Sequence, residues 1–529
     1  MTLTTEKQSN DSSSLQQMML DIKADVVAQK SQIDAQKIQI DSLTHENELL
    51  REQVKYLLAK RYGRSSEKFV NPNQMNLFDE DELAELDQSD VVPEEGIEIE
   101  VPAHKRKRGK RAPLPSYLPT VRVEHTLPDD ELVGPNGEQY VKIGEETSKQ
   151  LDIVPADVRV LEHVRFKYAV KDKEELGVKI AKITGQVIPK SLASSGLLAS
   201  IVQNKYQYHL PLYRQTQIWK DLEVDIPDNS MSRWMIQLGD AVQPLIDQQL
   251  KEIKQHCHVH ADETRVTVIN EKDAKVDKGS HGGFMWVCTN QNGTVFQYHP
   301  TRAGVHAESM LGDFKGYVQS DAYSGYNILF SGEDRKSVGC WAHARRKFTD
   351  AAKSSKKQAA ANYVIKEIGR LYKIEKNIKE QELNPDEIYH HRQQYSLLIL
   401  NTLHDFLKSK QSQVMPKSML GKAIGYVINN WLELFRYTED GHLAIDNNEA
   451  ERSIKPFAVG RKNWLFCGNT QGANAGANLY SLIESAKKFN LKPFDYLKYV
   501  FEHIREANTE DKLKALLPVN AQQHLPTLK

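Results

Sequence analysis

The chain has 529 residues, a length that suits three or four domains, and 40% of them are hydrophobic, enough for at least one sizeable core. Basic and acidic residues nearly cancel to a formal net charge of −1, so bulk charge offers no argument for nucleic acid and any such case rests on local patches. The four cysteines, Cys257, Cys288, Cys340 and Cys467, form no CxxC pair, which argues against a disulfide framework and a cysteine zinc site; with no apolar leader and no bilayer-length apolar run, a soluble cytoplasmic protein is expected.

Residues 1–14 are polar and are expected to be disordered. From Leu15 to residue 62 a seven-residue pattern runs, with Ile22, Leu43, Leu50 and Leu57 at d and Val26, Ile33, Ile40, Asn47 and Val54 at a. A seam of this length predicts a coiled coil. A buried Asn47 is satisfied by its twin in a parallel, in-register homodimer, and the pairs Asp25–Lys30 and Glu46–Arg51 suit the same arrangement. Two Gln at d weaken the seam, and a long solvated helix packed on its own chain is the alternative.

Residues 63–120 read as a linker whose charge switches sign, acidic over 79–100 and then basic at His104–Arg111. Lys105, Arg106, Lys107, Arg108, Lys110 and Arg111 are candidates for DNA phosphates or a minor groove, against a solvated linker folding back on the acidic run. Residues 121–190 alternate apolar and polar and predict a small β-rich module. Residues 191–254 turn helical, with two short helices broken near Pro211 and a longer one capped by Asn229 or Ser230. Arg214 and Arg233 there are compatible with a DNA-binding tri-helix, although ordinary helical packing explains the periodicity as well.

Residues 255–349 change to strands. HCHVHADETRVTVI, GGFMWVCTN and TVFQYHP predict three antiparallel strands with a turn at Gln291-Asn292-Gly293, followed by a short helix at His306–Leu311 and a strand in GYVQSDAYSGYN. That is a ribonuclease-H-like order, with Asp262 on strand one and Asp321 at the end of strand four, beside it. Clustered carboxylates repel unless a cation sits between them, and hard oxygen ligands suit Mg²⁺ or Mn²⁺. Two such ions can activate an attacking oxygen and stabilise the leaving oxygen of a phosphodiester. A third acid is offered by 444–466, where Asn447 or Asn448 would cap a short helix ending before Pro456; spacing alone leaves Glu449 and Glu451 open, since they point to different faces. A rival reading takes His258-x-His260-x-Asp262 as the start of a metallohydrolase signature, but Glu263 stands where its next His is needed.

The strings ADETRV, SDAYSGYN, CWAHARRKF, DNNEAERSIKPFAVGRKNWLF and YSLIESAKKFNLKPFDYLKYV resemble those of the DDE transposases of insertion-sequence family sixty-six, and the resemblance extends to YGRSSEK, RKRGKRAPLP, QLDIVPADVRVLEHVRFKYA and HLPLYRQ. It implies Asp262, Asp321 and Glu451 as the catalytic and metal-binding acids, settling the choice against Glu449, and a helical insertion over 350–440 between the core strands and the third acid in 441–475. A helical C-terminal region, 476–529, follows. It also implies DNA partners, namely terminal inverted repeats and target DNA, a homodimer or higher oligomer at the nucleoid, and accessory proteins of the same element. The fold class is then multidomain α+β: coiled coil, β-rich module of zinc-ribbon type, helical DNA-binding region, ribonuclease-H-like domain with helical insertion, helical C-terminus. The family's module carries two cysteine pairs for zinc; here their places read VGPNG (133–137) and VKDK (170–173), so no zinc is expected. The lost thiolates motivate a second reading, an inactive dimeric DNA-binding relic. His343, Arg345, Arg346, Lys347, Arg452, Lys455, Arg461 and Lys462 are candidates for phosphates, and Trp341 and Trp464 for stacking on a frayed base, with core packing as the alternative for the tryptophans.

Overall fold

The computed structural model describes residues 29–54, 57–58, 158–164, 167–169, 178–180, 185–270, 281–354 and 359–527. The chain divides into two units, Leu77–Val160 and the remainder. The first unit and the basic run Lys105–Arg111 lie almost wholly outside the described residues, as do the seam positions Ile22 and Val26.

Residues 29–54 form helix α1. Its seam is bare: Ile33, Ile40, Leu43, Leu50, Val54 and Leu57 are each more than half exposed. Asn47 donates its side-chain amide to Leu43 O of its own helix, 3.1 Å away. The ribbon β1 (Lys167–Ala169) and β2 (Val178–Ile180) pairs antiparallel. Helices α2 (Ser195–Tyr206), α3 (Leu212–Asp221) and α4 (Asp228–Lys254) follow, with the break at Pro211. The expected cap of α4 is corrected: Pro227 occupies the cap position without a side-chain bond, and Asp228, in the first turn, accepts from Asn229 N at 2.8 Å.

A six-stranded mixed sheet is the centre of the molecule. Strand β3 (His258–Asn270) pairs on one edge antiparallel with β4 (His281–Asn290), which pairs antiparallel with β5 (Gly293–His299), and on the other edge parallel with β6 (Gly316–Gln319), which pairs parallel with β7 (Arg335–Val338), giving the order β5-β4-β3-β6-β7. The β4–β5 hairpin turns on Gln291-Asn292, and Gly293, at φ +150, supplies the positive φ that other residues resist. Helix α5 (Gly304–Leu311) connects β5 to β6. Strands β7 and β8 (Cys467–Asn469) are additions that the periodicity did not announce. β8 pairs parallel with β3 at Val268 and Asn270, while β6 pairs with it only at 258–260. Residues 261–267 of β3 are therefore open on that edge.

The insertion builds its own core. Helices α6 (Trp341–Ser354), α7 (Ala359–Glu380), α8 (Pro385–His391), α9 (Leu397–Gln411), α10 (Met419–Asn429) and α11 (Trp431–Phe435) bury Trp341, Phe348, Leu371, Leu403, Val427 and Tyr437 in a cluster separate from the one under the sheet. Trp341 packs here, with Nε1 donating to Leu434 O at 2.8 Å and its ring 6.0 Å from Trp431, so it has no face left for a base. The chain then returns through α12 (Asn448–Trp464) and α13 (Thr470–Lys488), and ends in α14 (Pro493–His503), α15 (Glu510–Leu516) and α16 (Pro518–Ala521).

Two packing devices fix the return. Gly239 on α4 lets α13 approach so closely that a Cβ there would lie 2.5 Å from Ala475 Cα. The outer edge of β5 is satisfied by α13: Ser485 Oγ accepts from Thr294 N at 2.9 Å and Ser481 Oγ from Phe296 N at 2.8 Å. Serines four apart on a helix match alternate donors of a strand, which closes an edge that would otherwise template another strand.

Candidate active site

Asp262 sits mid-strand on β3. The β3–β6 register pairs His258 with Tyr317 and His260 with Gln319; carried on by two residues, it sets Asp262 alongside Asp321, just past the end of β6. The peptide of Tyr323 holds Asp321 by donating to its Oδ1 at 3.0 Å, and Tyr426 OH reaches Asp321 O at 3.3 Å from the insertion. Glu451 arrives on the first turn of α12. Burial, then the charges of Glu263, Asp321 and Glu451, push the Asp262 carboxyl up to about 8, so three elements deliver their acids to one place.

Helix α12 is placed by the open stretch of β3. Asn447 Nδ2 donates to Ala261 O at 2.9 Å while its Oδ1 meets His260 Nδ1 at 3.0 Å. Arg461, seventeen-residue α12's other anchor, donates to Thr264 Oγ1 at 2.8 Å and to Arg265 O. Two expectations are corrected here. Asn447 makes no capping bond because its amide is spent on β3, and α12 runs through Pro456 to Trp464 instead of stopping before the proline. The loss of one backbone bond at Pro456 is outweighed by an anchor at each end of the helix. Arg461 spends one guanidinium nitrogen on closing a strand edge.

Glu449 and Glu451 occupy opposite electrostatic settings. Burial works against the charge of Glu449, but the neighbouring His260 (Nε2 at 3.6 Å) and the paired Lys488 hold it below its ordinary value. Glu451 Oε1 is buried with no hydrogen-bond partner; His343 Nδ1 is 3.5 Å away and Arg346 is 3.7 Å from the other oxygen. A buried carboxylate oxygen without a hydrogen bond, near an aspartate whose carboxyl is pushed up by burial and acidic neighbours, is the kind of group that a hard divalent cation would neutralise. The three carboxylates offer only oxygen, as such an ion takes, although the ligand atoms of Asp262, Asp321 and Glu451 do not all lie within 4.8 Å of one another. Cys340 also comes within 4.8 Å of the ligand atoms of His343 and Glu451, and its Sγ accepts from Asn447 N at 3.3 Å.

The other sequence candidates separate. Arg214 and Arg233 are exposed, Arg214 Nε reaching Tyr213 OH at 3.0 Å and Arg233 Nε reaching Asn229 O at 3.4 Å. Arg346, Lys347, Arg452, Lys455 and Lys462 are exposed, Arg346 standing beside Glu451; Arg345 is half-buried beside Tyr372. Trp464 packs edge-on to Phe457, centroids 5.4 Å apart. His258 and His260 are not a free histidine pair: His258 Nε2 meets Gln319 Oε1 at 3.1 Å, and burial lowers both rings. Glu263 faces away from Asp262 into a buried pairing with Arg302 (Nε at 2.6 Å) and Tyr326 OH (2.6 Å). The supporting role of Asn447 carried no signal beyond its polarity.

The model described as Transposase IS66 family matches residues 190–475, the stretch that contains every acid above. The chain belongs to the IS66 family of transposases. Further models match on either side: Transposase C of IS166 homeodomain at 49–123, the zinc-finger binding domain of transposase IS66 at 136–169, and the IS66 C-terminal element at 481–519. The uncharacterized protein y4jD of Sinorhizobium fredii is 30% identical over 89% of this chain and 94% of its own, and y4qI of the same organism 28% identical over 97% of each. No solved structure matches the chain. Membership makes it an insertion-sequence transposase, a DNA-processing protein with DNA as its partner. The match at 136–169 corrects the expectation of no zinc: a zinc-finger domain is present and points to that metal, with His163 and no cysteine among the matched residues. No described helix of this IS66 transposase is long and apolar enough to cross a membrane.

Proposed function

We propose that this transposase cuts the ends of its element and joins them to target DNA at Asp262, Asp321 and Glu451, on a ribonuclease-H-like sheet. What carries the reading is the Asp262 carboxyl, raised to about 8 by burial and by acids delivered from β3, β6 and α12. When bound, divalent ions of the Mg²⁺ or Mn²⁺ class supply positive charge to the attacking and leaving oxygens. The three acids hold them. The exposed Arg346, Arg452, Lys455 and Lys462 orient the phosphodiester backbone. Water adds to the phosphorus at each end as the 3′ oxygen leaves and takes up a proton; the freed 3′ hydroxyl then attacks a target phosphodiester, with no bond to protein.

Terminal inverted repeats would be read by the N-terminal modules and by Arg214 and Arg233, on a dimer zipped along the bare seam of α1. An apolar stripe this long, exposed along its whole described length, is what a partner helix covers. Accessory proteins of the element complete the assembly.

The test is cleavage of a labelled end fragment by the full chain. Wild type cuts with Mg²⁺ or Mn²⁺ and not with chelator; Asp262→Asn, Asp321→Asn and Glu451→Gln each lose at least about a hundredfold. A wild-type protein that binds ends but cuts under neither metal is the relic, and the proposal fails.

A further inference from the structure

Beside the acids, on the far side of the first turn of α12, lies a cavity of about 390 Å³ lined by His256, His258, His260, His442, Glu449 and Lys488, among others. At its rim the chain brings together a different donor set. The Sγ of Cys257, a carboxylate oxygen of Asp440 and a ring nitrogen of His442 lie within 4.8 Å of one another. His256 stands next to them, its Nδ1 3.9 Å from Cys257 Sγ and its ring 5.7 Å from that of His442. None of these residues takes part in the proposed strand cleavage.

Both halves of the cluster are held by backbone. Cys257 O accepts from Tyr317 N at 2.8 Å, and Gly316 packs so tightly on that carbonyl that a Cβ would lie 2.2 Å from it. On the other side, the buried Arg392 ties the 437–443 segment: it donates to Tyr437 O at 2.7 Å, Asp440 O at 3.0 Å and Leu443 O at 2.9 Å, and is itself clamped by Glu375. Asp440 Oδ1 accepts from both His442 N and His442 Nδ1 at 2.8 Å, which orients the imidazole.

We propose that Cys257, Asp440 and His442, with His256 as fourth ligand, form a zinc-class metal site that staples the start of the central strand to the segment returning from the insertion. One thiolate, imidazoles and one carboxylate suit a borderline-soft tetrahedral ion and not Mg²⁺. Binding releases the thiol proton, so affinity rises with pH. Six residues after His442 the helix bearing Glu451 begins, so the staple fixes the helix that presents the third acid.

The experiment is a Co²⁺ titration of the chelator-treated full chain, read by the sulfur-to-cobalt charge-transfer band. The zinc-finger match contains no cysteine and gives no such band. Of the four cysteines Cys257 is the exposed one; Cys288 and Cys340 are buried. Wild type shows the band, Cys257→Ser abolishes it, and His442→Ala weakens Co²⁺ binding at least about tenfold. Zn²⁺ then raises the melting temperature of wild type by more than it raises that of Cys257→Ser, whose metal-free melt matches wild type. A wild type without the band overturns the site. So does a band undiminished in Cys257→Ser, which would put the thiolate at Cys340, beside His343 and Glu451.

Discussion

Glu449 and Glu451 stand two residues apart on one helical turn, yet their surroundings are opposites. Glu449 faces Lys488 and the histidine cavity and is neutralised within the protein. Glu451 faces Asp262 and keeps a buried oxygen that no donor reaches. The contrast teaches how a structural carboxylate is told from one reserved for a ligand. The first is closed by a hydrogen-bonded lysine, and the second, with only the longer contacts to His343 and Arg346, keeps an oxygen without a hydrogen bond.

Four experiments sharpen or break this contrast. The largest effect is on turnover: Glu451→Gln abolishes end cleavage by at least about a hundredfold, whereas Glu449→Gln retains the wild-type rate per folded molecule. Equal losses in a labelled-fragment assay would erase the distinction. Stability runs the other way. Glu449→Gln uncouples Lys488 and costs on the order of 1–3 kcal/mol in denaturant unfolding, while Glu451→Gln costs nothing or stabilises the metal-free protein.

The pH dependence of metal-free stability separates the two groups by sign. Asp262 has its folded value raised above 3.8 to about 8, so its neutral form is favoured by folding; its contribution is greatest in acid and declines as pH rises from about 4 to about 8. Glu449 has its folded value lowered, so its contribution is present above 4.5 and declines as pH falls below that. Melting curves across pH should lose the alkaline decline in Asp262→Asn and the acid decline in Glu449→Gln, and Mg²⁺ should cancel the alkaline decline in wild type. The smallest effect concerns the neighbouring basic pair Arg461 and Lys462. Lys462→Ala should flatten the log–log salt dependence of DNA binding by about 0.9, the value of one phosphate contact, whereas Arg461→Ala leaves that slope unchanged and lowers stability by about 1 kcal/mol.

How far the residues foretold this molecule depends on the kind of signal. The β4–β5 hairpin was legible because Gln291-Asn292-Gly293 is turn chemistry between two apolar runs, and the pairing of β3 with β6 because both are apolar runs, one carrying Asp262 and the other leading into Asp321. Strand β8 was not, since Cys467-Gly468-Asn469 has no alternation and pairs only because β3 is long enough to offer it an edge. The run of α12 through Pro456 was hidden for a similar reason: its anchors, Asn447 and Arg461, act on a strand nearly two hundred residues earlier. Local propensity is silent about partners at that distance. For the same reason the spacing could not choose between Glu449 and Glu451, because Lys488, which neutralises one of them, lies on another helix. Arg461 looked like its basic neighbours until its acceptors on β3 were seen. The zinc module was misjudged by counting cysteines alone, where the pattern of the whole segment matches the family's finger.

The central claim is that Asp262, Asp321 and Glu451 share a divalent ion, and Mn²⁺ binding to the full chain, counted by electron paramagnetic resonance, tests it most directly. Wild type should bind Mn²⁺, each of Asp262→Asn, Asp321→Asn and Glu451→Gln should weaken that binding at least about tenfold, and Glu449→Gln should leave it intact. Mn²⁺ affinity that survives loss of Glu451 and vanishes with Glu449 would contradict the account.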